Sequence, residues 1–256
     1  MNHRPRKRFG QHFLHDRSVI EAIVEAISPC AGERVVEIGP GLGALTDAVL
    51  ARVPVIDAVE LDRDLVAKLR ARYPSERLRL HADDALRFDF GALGPDLRLI
   101  GNLPYNISSP LLVRTLDFHP RIRDMHFMLQ REVVDRIVAR PGQPDYGRLG
   151  VLLQAFFDCE SVFDVAPQAF TPPPRVWSAV VRMNRREPAV RDAGALSALL
   201  AAAFSQRRKM LRGTLVPWLA QRGIPAEGLD PTARPENVEP ERYYALAERL
   251  AASGRG

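Results

Sequence analysis

Apolar residues recur at helical spacing at Val19, Ile20, Ile23, Val24 and Ile27, which predicts a first amphipathic helix. Ser18 and Glu21 are placed for a capping box, and Pro29 marks its end. The period then switches. Arg34–Ile38 is a short β-branched run, hence a strand; it meets Gly39-Pro40-Gly41-Leu42-Gly43, and residues 44–51 read as a helix. The alternation continues with strands at 55–59, 78–81, 97–100 and 125–129, and helices at 63–72, 110–116 and 132–139. Strands alternating with helices predict βαβ units and a parallel sheet covered on both faces.

From Tyr146 the alternation loosens. Residues 149–157 read as helical and 161–165 as a strand. Phe170-Thr171-Pro172-Pro173-Pro174 predicts a rigid extended loop, and 176–183 a last strand, antiparallel by analogy with mixed sheets of this size. Beyond Arg186 the composition turns Ala- and Leu-rich, with helical segments at 193–204, 211–221 and 241–252. The expected division is a sheet domain over 1–186, opened by a basic arm at 1–17, and a small helical domain over 187–256. No internal repeat is present.

Charge adds a partner to this picture. The 256 residues carry 36 Lys and Arg against 31 Asp and Glu, a net +5 that is modest in size but uneven in distribution. Arg4, Arg6, Lys7, Arg8 and Arg17 crowd the first seventeen positions against Asp16 alone. Residues 193–226 hold Arg207, Arg208, Lys209, Arg212 and Arg222 and no acid. Two basic clusters around a near-neutral middle point to a polyanion, and nucleic acid is the obvious one. Cys30 and Cys159 stand alone, and the six histidines form no zinc pattern, so no metal is expected. Neither a signal sequence nor a membrane-spanning run is visible, which fits a cytoplasmic protein.

The most informative stretch is Leu97-Arg98-Leu99-Ile100-Gly101-Asn102-Leu103-Pro104-Tyr105. An open α/β sheet places its chemistry at the carboxyl ends of strands, which is where Asn102 to Tyr105 fall. Pro104 confines Leu103 to extended geometry, so the Leu103 carbonyl can stand beside the Asn102 side-chain oxygen. Two acceptors and the Tyr105 ring face suit a flat base with an exocyclic amino group. The glycine loop after the first strand is ambiguous: Gly39, Gly41 and Ala44 with Glu60 also satisfy the dinucleotide pattern. Glu37 just before the first glycine, Asp84 after the third strand and Asn-Leu-Pro-Tyr after the fourth fit S-adenosylmethionine better. Gly39 and Gly41 would then meet the amino-acid moiety, Glu37 its amine, Glu60 the ribose hydroxyls and Asp84 the adenine. The plainer role for Asp84 is a helix N-cap.

These residues together resemble the ribosomal RNA adenine dimethyltransferases, most closely the small-subunit (16S) enzymes of the KsgA type. The resemblance spans nearly the whole chain and rests on seven motifs in order: residues 6–14, 37–41, 102–108, 125–130, 146–149, 169–174 and 203–211. It implies a Rossmann-like class I methyltransferase domain with a small all-helical C-terminal domain. It also implies S-adenosylmethionine as donor, and two adjacent adenosines near the 3′ end of 16S rRNA, within a late 30S intermediate, as acceptors. Cofactor contacts map by this resemblance to His12, Leu14, Gly39, Glu60, Asp84 and Asn102. Two positions depart from the family: Asn is more usual at His12, and Asp is common at Trp177.

The reaction so implied gives each residue a task. Asn102 and the Leu103 carbonyl accept from adenine N6, Tyr105 stacks on the base, and Phe170, held by its prolines, is expected to cover the other face. Arg6, Lys7, Arg8, Arg207, Arg208 and Lys209 are expected to hold phosphates. Rivals are a large-subunit rRNA or DNA adenine methyltransferase, and a ribosome-assembly checkpoint protein whose main task is binding. A monomer is expected.

Overall fold

A computed structural model describes residues 11–206 and 208–253, so Arg6, Lys7, Arg8 and Arg207 lie outside the described residues. The core is a seven-stranded sheet. In chain order its elements are β1 (Phe13–Leu14), α1 (Arg17–Ile27), β2 (Arg34–Ile38), α2 (Ala44–Leu50), β3 (Ile56–Val59), α3 (Arg63–Arg72), β4 (Leu78–His81), β5 (Leu97–Asn102), α4 (Ser108–Thr115) and β6 (Ile122–Gln130). Then come α5 (Arg131–Val138), α6 (Arg148–Gln154), β7 (Phe157–Val165), β8 (Phe170–Thr171) and β9 (Ser178–Arg185), followed by α7 (Ala193–Ala203), α8 (Leu215–Ala220) and α9 (Pro240–Ser253). The large sheet runs β4-β3-β2-β5-β6-β9-β7. From β4 to β6 all pairs are parallel, and β9 joins β6 antiparallel, as the analogy with mixed sheets of this size led one to expect.

The parallel strands form because both of their faces are covered. Val35, Val36, Ile38, Leu97, Leu99 and Ile100 are all essentially buried. Arg98 is the exception in this apolar run, and every side of its guanidinium is met. Nε donates to Asp124 at 3.0 Å, Nη1 to Glu33 at 2.6 Å and Nη2 to the Ile27 carbonyl at 2.6 Å. This buried charge pins the start of β5 to β6 and α1, at the strand end away from Asn102. After β2 the chain builds outward through β3 and β4, then returns to lay β5 on the other side of β2. That reversal leaves a crevice beyond the carboxyl ends of β2 and β5.

Local signals differ from the sequence reading in instructive places. The cap of α1 is Asp16, whose carboxylate accepts from Ser18 and Val19 N–H, and the Ser18 hydroxyl donates to it as well. One charged oxygen, Asp16 Oδ1, takes all three bonds, and the Ser18 hydroxyl is spent on it in place of the expected Ser18–Glu21 box. The helix expected over 149–157 stops at Gln154, and Phe157 already starts β7. Phe170-Thr171 is not loop but strand β8, paired antiparallel with β1 at Phe13↔Thr171 and Leu14↔Phe170.

The chain forms two compact units: Met1–Val134 with Glu160–Arg185, and Asp135–Cys159 with Arg186–Gly256. The second thus takes in residues 135–159, which the sequence reading placed with the sheet. Buried hydroxyls account for this. Tyr146 donates to the Val238 carbonyl at 2.9 Å and Tyr244 to the Val151 carbonyl at 3.1 Å, each joining residues 135–159 to the C-terminal region. The Tyr146-Gly-Arg-Leu motif is therefore a fastening of the second unit. Beyond Arg186 the described elements are all helical. No described helix is long and apolar enough to cross a membrane.

Candidate active site

A cleft of about 190 Å³, open at its mouth, lies at the carboxyl ends of β2, β3 and β5 within the first unit. The predicted residues His12, Leu14, Glu37, Gly39, Gly41, Glu60, Asp84, Asn102, Leu103 and Tyr105 all line it. Each comes from a strand end, or from the segment 11–14 that crosses the cleft.

The glycine loop builds one wall. Gly41 has φ +60°, and a Cβ there would sit 3.2 Å from the Phe13 ring, so the crossing segment lies directly on the loop. Gly41 N–H donates to Glu60 Oε2 at 3.2 Å, and Asp62 N–H to Glu60 Oε1 at 2.9 Å. These bonds aim the Glu60 carboxylate before any ligand arrives. Asp62 caps α3 and also accepts from Gln11 Nε2 at 3.1 Å, which ties the crossing segment to this wall.

Two of the predicted acids, Glu37 and Glu60, are buried. Glu37 is 2% exposed, and burial, with Glu60 and Asp47 nearby, raises its carboxyl to about 7 although Thr46 Oγ1 donates to it at 2.6 Å. Burial likewise raises Glu60, opposed by its backbone N–H donors. A cavity that holds two raised carboxyls is electrostatically prepared for a cation. Asp84 is placed differently. Its Oδ1 accepts from Leu86 N–H at 2.9 Å, so it caps a turn after β4 and not the helix of the plainer reading, while still lining the cleft.

The opposite end is the Asn102–Tyr105 corner. Gly101 lets β5 run against β2: a Cβ there would lie 2.4 Å from the Ile38 carbonyl oxygen. Asn102 Nδ2 donates to the His12 carbonyl at 2.9 Å, which fixes the orientation of the amide and so which way Oδ1, its acceptor, points. Leu103 N–H donates to the Met128 carbonyl at 3.1 Å, and no group among the described residues donates to the Leu103 carbonyl. Tyr105 shares a 3.0 Å hydrogen bond with the Ser178 hydroxyl, and burial holds its phenol above the usual range, so it stays neutral. The result is a corner with two acceptors and an aromatic ring.

Phe170 is not brought to this corner. It is 2% exposed and packs in the core with Leu14 and Ala169, off the cleft. Pairing with β1 turns alternate residues of β8 inward and outward, and Phe170 takes the inward place while Thr171 is exposed. Arg208 and Lys209 are exposed in the second unit. Sequence reasoning missed Thr46, Gln11 and Ser178. Thr46 is a buried hydroxyl on the inner face of α2, nine residues after Glu37, and was the one with a readable signal. Among the described residues no group of three or more His, Cys, Asp or Glu is placed to hold a metal.

Residues 2–252 match the family model described as ribosomal RNA adenine dimethylase. The chain is 56% identical to the ribosomal RNA small subunit methyltransferase A of Thiobacillus denitrificans, over 97% of this chain and 99% of that one. It is also 56% identical to the protein of that name from Bordetella pertussis, covering 98% and 96%. Among solved structures, a dimethyladenosine transferase from Plasmodium falciparum superposes with a TM-score of 0.79 at 22% identity, over 95% of this chain and 98% of that one. The 23S rRNA methyltransferase ErmE gives 0.69 at 26% identity, over 93% and 99%. The fold is that of the class I methyltransferases, and the chain belongs to the ribosomal RNA adenine dimethylase family.

Proposed function

We propose that this enzyme dimethylates N6 of two adjacent adenosines near the 3′ end of 16S rRNA, in the 30S particle or its assembly intermediate. S-adenosylmethionine is the donor. The observation that carries this reading is the Asn102–Leu103 corner. With its amide oriented by the Nδ2 bond to His12, Asn102 offers Oδ1 as an acceptor, beside a second open acceptor on Leu103. Both suit the two hydrogens of an adenine amino group.

The residues present fit S-adenosylmethionine. A Cβ on Gly39 would meet nothing nearer than Pro104 Cδ at 4.0 Å, which leaves room beside the loop, and Glu37 and Glu60 are raised acids that a cation would relieve. Glu37 would hold the amine, Gly39 and Gly41 the carboxylate end, Glu60 the ribose, and Asp84, through the oxygen not used in its turn, the adenine. Leu14 and the backbone of His12 would close over the cleft. When bound, this group supplies an electrophilic methyl on a sulfonium. Family membership favours this use of the glycine loop over a dinucleotide.

The protein's own part is alignment. Adenine N6 is a weak nucleophile because its lone pair is delocalised into the ring. Asn102 Oδ1 and the Leu103 carbonyl, accepting its two hydrogens, favour a pyramidal nitrogen with the lone pair directed at the methyl. Tyr105 supplies a stacking face worth about 1–3 kcal/mol per base, which offsets much of the cost of unstacking an adenosine. No strong base is required, since the nitrogen sheds its proton to water only after methylation has made it cationic. We assign rRNA binding to the helical region 187–256 through Arg207, Arg208 and Lys209, aided by Arg6, Lys7 and Arg8, in a cytoplasmic monomer.

The test is transfer of labelled methyl groups to 30S subunits lacking dimethyladenosine, with naked rRNA and DNA in parallel. Label on 30S as dimethyladenosine is expected. Label on naked large-subunit rRNA or DNA instead moves the assignment to those substrates. Binding of 30S without label leaves an assembly factor.

A further inference from the structure

The resemblance to known dimethyltransferases assigns His12 to the cofactor, yet its side chain is committed elsewhere. Nδ1 lies 2.7 Å from the Pro172 carbonyl oxygen. A carbonyl only accepts, so Nδ1 carries the proton in that contact. The imidazole stacks on Tyr105, with ring centroids 5.6 Å apart and planes 29° from parallel. Tyr105 is held from its far end by Ser178.

The backbone explains why His12 can serve both sides. In the β1–β8 ladder Phe13 faces Thr171 and Leu14 faces Phe170, and His12 and Pro172 are the residues next to this end of the ladder. His15 N–H donates to the Ala169 carbonyl at 3.0 Å, which marks 15/169 as a hydrogen-bonded pair. Antiparallel pairs alternate, so 13/171 is bonded as well, and the Phe13 N–H, in the same peptide as the His12 carbonyl, points toward β8. The His12 carbonyl therefore points away from β8, where it accepts from Asn102 Nδ2 at 2.9 Å. One residue thus touches the Asn102 amide through its backbone, and Tyr105 and the proline loop through its ring.

We propose that the His12 side chain is a positioning residue for the acceptor adenine: it backs one face of Tyr105 and anchors that ring to the proline loop through Pro172, leaving the other face to the base. This rests on the methyltransferase reading above. It moves the role of the His12 side chain from donor affinity to acceptor alignment.

Three variants separate the two contacts. His12→Phe keeps a ring against Tyr105 and loses the tether; His12→Asn keeps a donor for the Pro172 carbonyl and loses the ring; His12→Ala loses both. Each is measured for the Kd of S-adenosylmethionine without RNA, and for kcat and KM on 30S subunits lacking dimethyladenosine. The expected result is a Kd within about twofold of the parent in all three, which also shows that they are folded. kcat should fall at least about tenfold in His12→Ala and by less in the two partial variants, with the KM for 30S little changed because phosphate contacts dominate affinity. A parent-like kcat in His12→Ala overturns the proposal. So does a loss that follows a weakened Kd and is restored by saturating S-adenosylmethionine. Should His12→Ala not fold, parent-like kcat in both His12→Phe and His12→Asn decides against it. A parent enzyme that transfers no methyl to 30S would instead fault the substrate assignment.

Discussion

Thr46 Oγ1 donates to Glu37 Oε2 across 2.6 Å in the floor of the cleft, and even so the carboxyl is raised to about 7. One neutral donor does not repay the desolvation of a buried carboxylate. The raised group has a definite sign. Its contribution to stability is full below the ordinary value of 4.5 and is lost as pH rises through about 7. The interval of roughly 2.5 units corresponds to about 3 kcal/mol at alkaline pH. Glu37→Gln keeps an acceptor for Thr46 and removes the charge. The ligand-free variant should therefore match the parent near pH 5 and melt higher than it at pH 8. The same group sets a pH dependence of opposite sense on donor binding. A cationic amine prefers ionised Glu37, so affinity for S-adenosylmethionine should weaken by about tenfold per unit as pH falls below 7. Calorimetry in buffers of different ionisation enthalpy should show proton release, and Glu37→Gln should abolish it.

Gly101→Ala tests how tightly β2 and β5 bind the site together. The added methyl would sit 2.4 Å from the Ile38 carbonyl oxygen, a backbone atom that cannot swing aside, at a φ of +156°. The strands must separate, and a cost of about 3 kcal/mol is expected in denaturant unfolding. Asn102 and Glu37 flank this contact, so donor affinity should fall as well. Unaltered unfolding would mean that the strand spacing is slack.

The expectation that Phe170 covers the acceptor base is answered by its burial in the core. Phe170→Ala should cost about 3–5 kcal/mol in chemical unfolding, the range for emptying a core aromatic site. Below its melting point the variant should retain near-parental KM for 30S. A large rise in KM with little change in stability would restore the stacking role.

Salt dependence reads the basic run of the second unit. Arg208 and Lys209 are exposed. Replacing each by Gln should lower the slope of log affinity for 30S against log salt by roughly 0.7–0.9 for every phosphate that is no longer neutralised. An unchanged slope would show that this run does not touch RNA.

How far all this could be read in advance follows from the range of each interaction. The parallel strands were legible because Val35-Val36 and Leu99-Ile100 need apolar cover on both faces, a demand written locally. Glu37, Gly39, Gly41, Glu60, Asn102 and Tyr105 were legible because strand ends and the glycine loop are local signals too. What escaped depends on partners far along the chain. Tyr105 meets Ser178, Gln11 meets Asp62, and Asn102 meets His12. β8 was hidden because two residues before three prolines carry no strand signal of their own, and only pairing with β1 makes them one. That pairing also redirected Phe170 inward, which the rigidity of the prolines alone does not reveal.

Asn102→Ala bears on how one corner methylates the same nitrogen twice. In the first round adenine N6 offers two hydrogens, and Asn102 Oδ1 and the Leu103 carbonyl can take both. In the second only one hydrogen remains, and the methyl must occupy the place of the other. We expect the two acceptors then to act as alternatives, with the nitrogen rotating its hydrogen to whichever side the methyl leaves open. Removing Asn102 leaves only Leu103, so the rotated orientation has no acceptor. The loss should therefore be uneven: a reduced first transfer, with a deeper or complete loss of the second. Mass analysis of nucleosides from single-turnover reactions measures both steps. Accumulated monomethyladenosine is the expected product, whereas equal loss of the two transfers would show that the acceptors work as a fixed pair. Because Asn102 Nδ2 also anchors the His12 carbonyl, Asn102→Asp is the informative companion. It keeps the acceptor oxygen but turns a donor into a carboxylate facing a carbonyl, and should fail in both rounds alike.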